Sequence, residues 1–312
     1  MWCEEYAIAF MPHGSDVAGL SATARREMSD TEITEADARA LYLDLLKKAL
    51  MDVLHSERDL YVPVRTMRNG SLKVRGLKVF DRLIASKGYA VTRQVPPDFE
   101  QRLQGKGVWP MYAQTMIGAE RLNNIQFCIE EVIRNGTDGD LIETGVWRGG
   151  STIFMRAVLR AYGVKDKIVW VADSFEGLPG PDEAKYPGDK GLKYHTFEEL
   201  KVSLDEVKRN FAAYAMLDEQ VRFLKGWFKD TLPVAPIRKL SVLRLDGDMY
   251  ESTIDALTHL YPKLSVGGYV IIDDYHWIEA CRQAVTDYRS KHRIDEVIRD
   301  VDWTAVYWQK TK

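Results

Sequence analysis

From residue 119 onward, two hydrophobic patterns alternate along the chain: apolar residues at helical spacing, and short unbroken apolar runs. Leu122, Ile125, Ile129, Val132 and Ile133 share one face of a helix from Arg121 that Asn135-Gly136 ends. Runs at 141–146, 168–172, 221–224, 241–245 and 268–272 read as buried strands. Between them fall helices that begin at Ser151 or carry Leu200, Leu204, Val207, Phe211 and Tyr214; Ile254, Leu257 and Leu260; and Ile278, Ala284, Val285 and Tyr288. Two strand-like runs, 295–298 and 303–308, close the chain. Such alternation predicts an α/β fold with a mostly parallel sheet and helices on both faces. The last two runs are separated only by 299–302, too short for a parallel crossover, so one edge must be an antiparallel hairpin.

Ahead of this region, Thr34 to Asp37 resembles a capping box with Asp in place of Glu. Leu41, Leu45, Leu46, Leu50 and Val53 follow as the expected apolar face of an N-terminal helical extension. That helix needs its own core or a second subunit to pack on, so a homo-oligomer, dimer or tetramer, is expected. The organisation expected is a poorly ordered extension over 1–30, with Met28 as an alternative start, a helical or lid region over 31–118, and a ligand-binding domain over 119–312. Residues 60–88 carry Arg65, Arg68, Lys73, Arg75, Lys78, Arg82 and Lys87 against Asp81 alone. They read either as a solvated face or as an arm for an anionic group.

Composition narrows the function. A chain of 312 residues with 46% apolar and 29% charged residues is an ordinary globular protein, and a net charge of -3 argues against general nucleic-acid binding. Cys3, Cys128 and Cys281 match no metal or redox spacing, which favours a reducing, cytoplasmic setting. No apolar stretch is long enough for a membrane span, and residues 2–10 lack the features of a secretory signal.

Acidic residues supply the candidate chemistry. Asp246-Gly247-Asp248 closes one strand and Asp273-Asp274 the next, at the strand ends where open α/β sheets bind ligands. Carboxylates gathered there repel one another unless a cation neutralises them, and an all-oxygen donor set suits a hard divalent metal. A glycine-bearing strand-to-helix turn, Glu143-Thr144-Gly145-Val146-Trp147-Arg148-Gly149-Gly150-Ser151, lets backbone approach a ligand and offers free N–H groups at a helix start. Asp173 ends the following strand, where a carboxylate either accepts from ribose hydroxyls or caps a loop. Glu143 is an acid inside an apolar strand and must face a cationic or hydrogen-bonding partner, such as the α-amino group of an amino-acid-like cofactor. His276 reads as a base, a substrate contact or a surface histidine. Trp109, Trp170, Trp227, Trp303 and Trp308 read as core or rim.

These motifs, together with Trp109-Pro110, 113–118, Arg121-Leu122, the run Asp173-Ser174-Phe175-Glu176-Gly177-Leu178-Pro179, Met249-Tyr250 and Tyr275, resemble the macrocin O-methyltransferase family over roughly 33–309. The resemblance implies a class I methyltransferase-like Rossmann sheet of seven strands ordered 3-2-1-4-5-7-6. It also implies S-adenosylmethionine and Mg²⁺ as cofactors and a glycosylated small molecule as substrate, methylated on a sugar hydroxyl. Asp246, Asp273 and Asp274 would be the metal ligands and Asp248 the general base. Thr115, Met116, Glu143, Thr144, Gly145, Val146, Ser151, Asp173, Ser174 and Trp227 would line the cofactor pocket, with Thr115 and Met116 over its methionine end and Trp227 near the adenine. Segments 55–100 and 180–195 carry the least family-like signature and are expected to recognise substrate. The rival reading is a metal-dependent glycosyltransferase or phosphotransferase using Asp246-Gly247-Asp248 as a D-x-D motif, which leaves the glycine turn with Glu143 and Asp173 unexplained. A binding protein that merely retains the fold is the other rival.

Overall fold

The computed structural model describes residues 33–54, 60–67, 71–95, 98–106 and 110–312. The expected extension over 1–30, Cys3, Arg68 and Trp109 lie outside them. The chain divides into two compact units, Met1–Ala40 and Leu41–Lys312. In the first, Thr34 Oγ1 accepts from the Asp37 amide at 3.1 Å and the Asp37 carboxylate accepts from the Thr34 amide at 3.1 Å, which is the reciprocal cap the sequence predicts.

Helix α1 (Glu35–Leu50) corrects one expectation. Leu46 and Leu50 are buried as expected, but Leu41 and Leu45 are exposed and Leu43 and Met51 enter the core in their place. Two leucine stripes at helical spacing compete on this helix, and the stripe at i, i+3 and i+7 joins Ile125, Ile129 and Phe154. Strands β1 (Leu60–Pro63) and β2 (Thr92–Val95) form an antiparallel ribbon beside α2 (Leu72–Ala85), and α3 (Phe99–Leu103) follows. Asp81 is the buried centre of this basic region: it pairs with Arg65 at 3.2 Å and accepts from the Val91 amide at 2.7 Å. Lys73, Arg75, Arg82 and Lys87 are exposed, as on a solvated face.

The main sheet follows α4 (Ala119–Arg134) and contains β3 (Asp140–Thr144), β4 (Val169–Asp173), β5 (Val221–Lys225), β6 (Leu240–Leu245), β7 (Leu264–Ile272), β8 (Arg299–Asp300) and β9 (Val306–Gln309). Their spatial order is β5-β4-β3-β6-β7-β9-β8, parallel except for β9, which is antiparallel to both its neighbours. In order of the strands this is 3-2-1-4-5-7-6, the class I methyltransferase arrangement. The connecting helices are α5 (Gly150–Ala161), α6 (Leu204–Ala213), the single turn α7 (Phe228–Thr231), α8 (Tyr250–Leu260) and α9 (Glu279–His292).

Successive residues of a strand face opposite sides, so the central strands fill two cores. Leu141, Val171, Val242 and Ile271 pack with α1, α4, α5 and α6. Ile142, Ala172, Leu243 and Val270 pack with α8 and α9. Near-continuous apolar strands are what burial on both faces requires.

Two boundaries differ from the sequence reading for a shared reason, side-chain capping. Leu200 falls in a short 3₁₀ turn because Ser203 Oγ accepts from the Glu206 amide at 3.2 Å and starts α6 at Leu204. The closing hairpin is displaced because Asp302 Oδ1 accepts from the amides of Thr304 and Ala305, both at 2.9 Å, and holds 301–305 as a turn. Trp303 thereby leaves the strand predicted for it.

Candidate active site

Strand β3 lies between β4 and β6, so chain connections leave it in opposite directions and open a crevice at its C-terminal end. Gly145 sits in that crevice with φ +84°, and a Cβ there would lie 1.8 Å from the Asp246 carbonyl oxygen. Only glycine permits the β3 turn to pass so close to the β6 turn. The result is one cavity of about 340 Å³. Its lining includes Thr115, Met116, Glu143, Gly145, Val146, Ser151, Asp173, Ser174, Trp227, Asp246, Asp248, Asp273 and Asp274. Of the sequence-predicted site residues Thr144 alone is outside this lining, being buried behind the turn.

The donor half is built around the glycine turn. Asp173 Oδ2 accepts from the Val146 amide at 2.8 Å and Oδ1 from the Phe175 amide at 2.7 Å, tying β4 to that turn. Burial raises the Asp173 pKa and these backbone bonds oppose the rise. The free N–H groups expected at the helix start are in part taken: the Gly150 amide donates to the Gln114 carbonyl at 2.9 Å. That contact lays segment 113–118 over the turn and puts Thr115 Oγ1 3.4 Å from Ser151 Oγ. Two arginines fix the segment. Arg102 donates to the carbonyls of Met51, Thr115, Met116 and Ile117, and burial lowers its pKa to about 10. Arg148 donates to those of Pro110, Met111 and Ala113 and lies 4.2 Å from the Trp147 ring centre. The sequence did not reveal these roles, since side-chain bonds to backbone carbonyls leave no periodic trace.

The acidic half converges as expected. Asp246, Asp273 and Asp274 each place a carboxylate oxygen within 4.8 Å of the others. Asp248 is the centre of a three-residue turn, with φ 60° and the Met249 amide 2.6 Å from the Gly247 carbonyl. Such γ-turns are rare and strained, and strain of this kind gathers at functional positions.

Arg244 is the main residue the sequence reading missed, because it sits in the run 241–245 that otherwise looks apolar. Its fully buried guanidinium contacts Glu143 and Asp273 and lies 2.8 Å from Asp246. Arg121 adds a second cation, 2.5 Å from Asp273 and 3.0 Å from Asp302. Part of the neutralisation required of a metal is therefore supplied by protein. It is not complete. Burial and neighbouring carboxylates still raise the pKa values of Asp246, Asp248 and Asp274, and burial pushes Glu143 up to about 8 against the pull of Arg244. Among the described residues, two buried oxygens, Asp274 Oδ2 and Glu143 Oε2, have no hydrogen-bond partner.

The segment 180–195, a loop before α6, also reaches the site. Asp189 accepts from the amides of Tyr250 at 2.6 Å and Glu251 at 3.0 Å, docking the loop on the start of α8. Tyr194 from this loop lines the cavity, and Asp248 and Asp274 join burial in raising its phenol pKa. His276 instead pairs with Asp300 at 2.8 Å and stays outside the cavity lining. No described residue of 60–88 lines the cavity either. Trp170 and Trp308 are core, whereas Trp227 and Trp303 are at the cavity.

A glycine turn, an acid ending the next strand and a carboxylate cluster on one crevice of this sheet define a class I methyltransferase site. The sequence model of the macrocin O-methyltransferase family matches residues 39–310, and the chain belongs to that family. It is 49% identical over 276 residues to the 8-demethyl-8-(2,3-dimethoxy-alpha-L-rhamnosyl)-tetracenomycin-C 4'-O-methyltransferase of Streptomyces olivaceus, covering 88% of this chain and 94% of that protein. It is 53% identical over 206 residues to the mycinamicin III 3''-O-methyltransferase of Micromonospora griseorubida, covering 65% of this chain and 81% of that protein. The solved structure of the O-methyltransferase NovP superposes with a TM-score of 0.74 at 47% identity, over 88% of this chain and all of that one. The protein is thus an S-adenosylmethionine-dependent O-methyltransferase, and the D-x-D glycosyltransferase and phosphotransferase readings fall away.

Proposed function

We propose that the chain methylates a sugar hydroxyl of a glycosylated natural product, with Mg²⁺ held by Asp246, Asp273 and Asp274 and with Asp248 as general base. The convergence of the acidic cluster and the glycine turn on one cavity carries this reading. The donor set fits a hard cation: every donor is a carboxylate oxygen, Asp274 Oδ2 is unpartnered, and the cluster's charge exceeds what Arg121 and Arg244 offset. S-adenosylmethionine fits equally, since among the described residues no donor comes within hydrogen-bond distance of the buried Glu143 Oε2 beside the turn, Ser151 exerting only a weak pull on that carboxyl.

When bound, Mg²⁺ would supply Lewis acidity that lowers the pKa of an acceptor hydroxyl. Asp248 would take the proton as the oxygen forms its bond to the methyl carbon and the carbon–sulfur bond breaks. Glu143 would hold the cofactor's amino group, Asp173 and Ser174 its ribose, Thr115 and Met116 its methionine end, and Trp227 its adenine. Close positioning of oxygen and methyl by these fixed groups would supply much of the rate. The compounds in the relatives' names, a rhamnosyl-tetracenomycin C and mycinamicin III, support a sugar acceptor.

Asp248→Asn tests the base. Turnover is expected to be lost while calorimetry still detects S-adenosylhomocysteine and Mg²⁺; a variant with near-normal turnover would show that another group takes the proton. The exposed Leu41, Tyr42 and Leu45 on α1 favour a homo-oligomer, and the buried, free Cys128 and Cys281 suit a reducing cytoplasm. Among the described residues no helix is long and apolar enough to cross a membrane.

A further inference from the structure

We infer that Trp277 and Trp303 form a stacking platform for the aglycone, the apolar ring system that carries the acceptor sugar; this rests on the sugar-hydroxyl reading above. Both indoles line the cavity, with ring centres 5.2 Å apart and planes at 78°. Trp277 is 66% exposed, a large apolar surface left to water at the mouth of a polar site. Surface of that kind beside a ligand cavity is where an apolar partner gains most.

The depth of the carboxylates identifies the partner. Asp273 and Asp274 are buried, so the reacting hydroxyl and its sugar must enter to reach them, and whatever is bonded to that sugar leaves across the rim. The indoles form an apolar stretch of that rim, while elsewhere in the lining Lys229 and Glu251 face each other at 3.8 Å.

The backbone that carries Trp277 and the ring of Trp303 are tied to the rest of the fold. The Trp277 and Ile278 amides donate to the Asp274 carbonyl at 3.2 and 2.9 Å, placing Trp277 one tight turn from a carboxylate of the acidic cluster. The His276 amide donates to the Thr304 carbonyl at 2.9 Å, clamping this turn to the hairpin that bears Trp303. Trp303 Nε1 donates to the Gln104 carbonyl at 2.9 Å, and Lys106 Nζ lies 5.4 Å from its ring centre. Anchoring of this kind lowers the ordering cost of binding, and aromatic rings pair well with planar or apolar rings.

The test compares wild type with Trp277→Ala and Trp277→Phe on three glycosides and on methyl α-L-rhamnoside, which has a sugar but no aglycone. The glycosides are 8-demethyl-8-(2,3-dimethoxy-α-L-rhamnosyl)-tetracenomycin C, mycinamicin III and demethyldecarbamoylnovobiocin. For whichever glycoside wild type methylates, Trp277→Ala is expected to raise KM about tenfold, or ~1.4 kcal/mol, at unchanged kcat. Trp277→Phe should recover part of that loss. The kcat/KM on methyl α-L-rhamnoside and the Kd for S-adenosylhomocysteine should not change. An unchanged glycoside KM, or an equal loss on methyl α-L-rhamnoside, overturns the platform and leaves the sugar-hydroxyl reading standing. A wild type that methylates none of the four compounds overturns both.

Discussion

Arg244 balances the charge of the crevice floor from inside a strand whose six residues are all buried. Removing one partner of a buried ionic cluster leaves the others desolvated and uncompensated, so Arg244→Met should cost roughly 3–5 kcal/mol in urea unfolding. Millimolar Mg²⁺ should restore part of that loss if the cluster binds it. Protonation gives a second check. Glu143 is raised from 4.5 to about 8 by burial, so between those values the folded state holds a proton that the unfolded state has released. Its contribution to stability therefore falls as pH rises through that window. The rise in Asp246, Asp248 and Asp274 has the same sign. A bound cation relieves this repulsion, so the Tm increment from Mg²⁺ should be larger at pH 8 than at pH 6 in thermal-shift measurements; an increment independent of pH would count against a metal at these carboxylates. At this scale the acids were legible in the sequence, because a carboxylate at the end of an apolar run is conspicuous. Arg244 was not, since it sits in an otherwise apolar run and two of its three partners, Glu143 in β3 and Asp273 just after β7, are distant in the chain.

At the scale of elements, the glycine turn and the segment 113–118 act as one unit. Gly145→Ala would drive a Cβ into the Asp246 carbonyl at 1.8 Å in a backbone conformation that disfavours it. It should abolish S-adenosylhomocysteine binding in calorimetry. Arg102→Ala withdraws donors from the carbonyls of Thr115, Met116 and Ile117 and should weaken that binding about tenfold, or ~1.4 kcal/mol. Unchanged affinity would mean that the segment holds its shape without Arg102. The strands and helices themselves were readable because burial on two faces imposes apolar runs and helical stripes. Which leucines of α1 joined the inward Leu46 and Leu50 was not, since Leu41 and Leu45 fit helical spacing beside them as well as Leu43 does.

For the whole molecule, alternation and the short 299–302 link required a mostly parallel sheet with an antiparallel edge, the family resemblance implied its strand order, and that order brings the β3 turn beside the acids of β6 and β7. What the order could not convey is that the hairpin furnishes Asp302 and Trp303 to the site, because its turn is set by a side-chain cap and not by an apolar period. If the exposed stripe of α1 joins copies of the chain, Leu41→Asp with Leu45→Asp should lower the molar mass found by light scattering to that of one chain. An unchanged mass would place the contact elsewhere. The Arg121–Asp302 pair has a bearing on how the enzyme is made. Domains generally fold as units while the chain is synthesised from its N-terminal end. Here a counter-ion of the catalytic floor follows every strand of the sheet but β9, so a chain still emerging from the ribosome cannot finish its own reaction centre until the closing hairpin has been made.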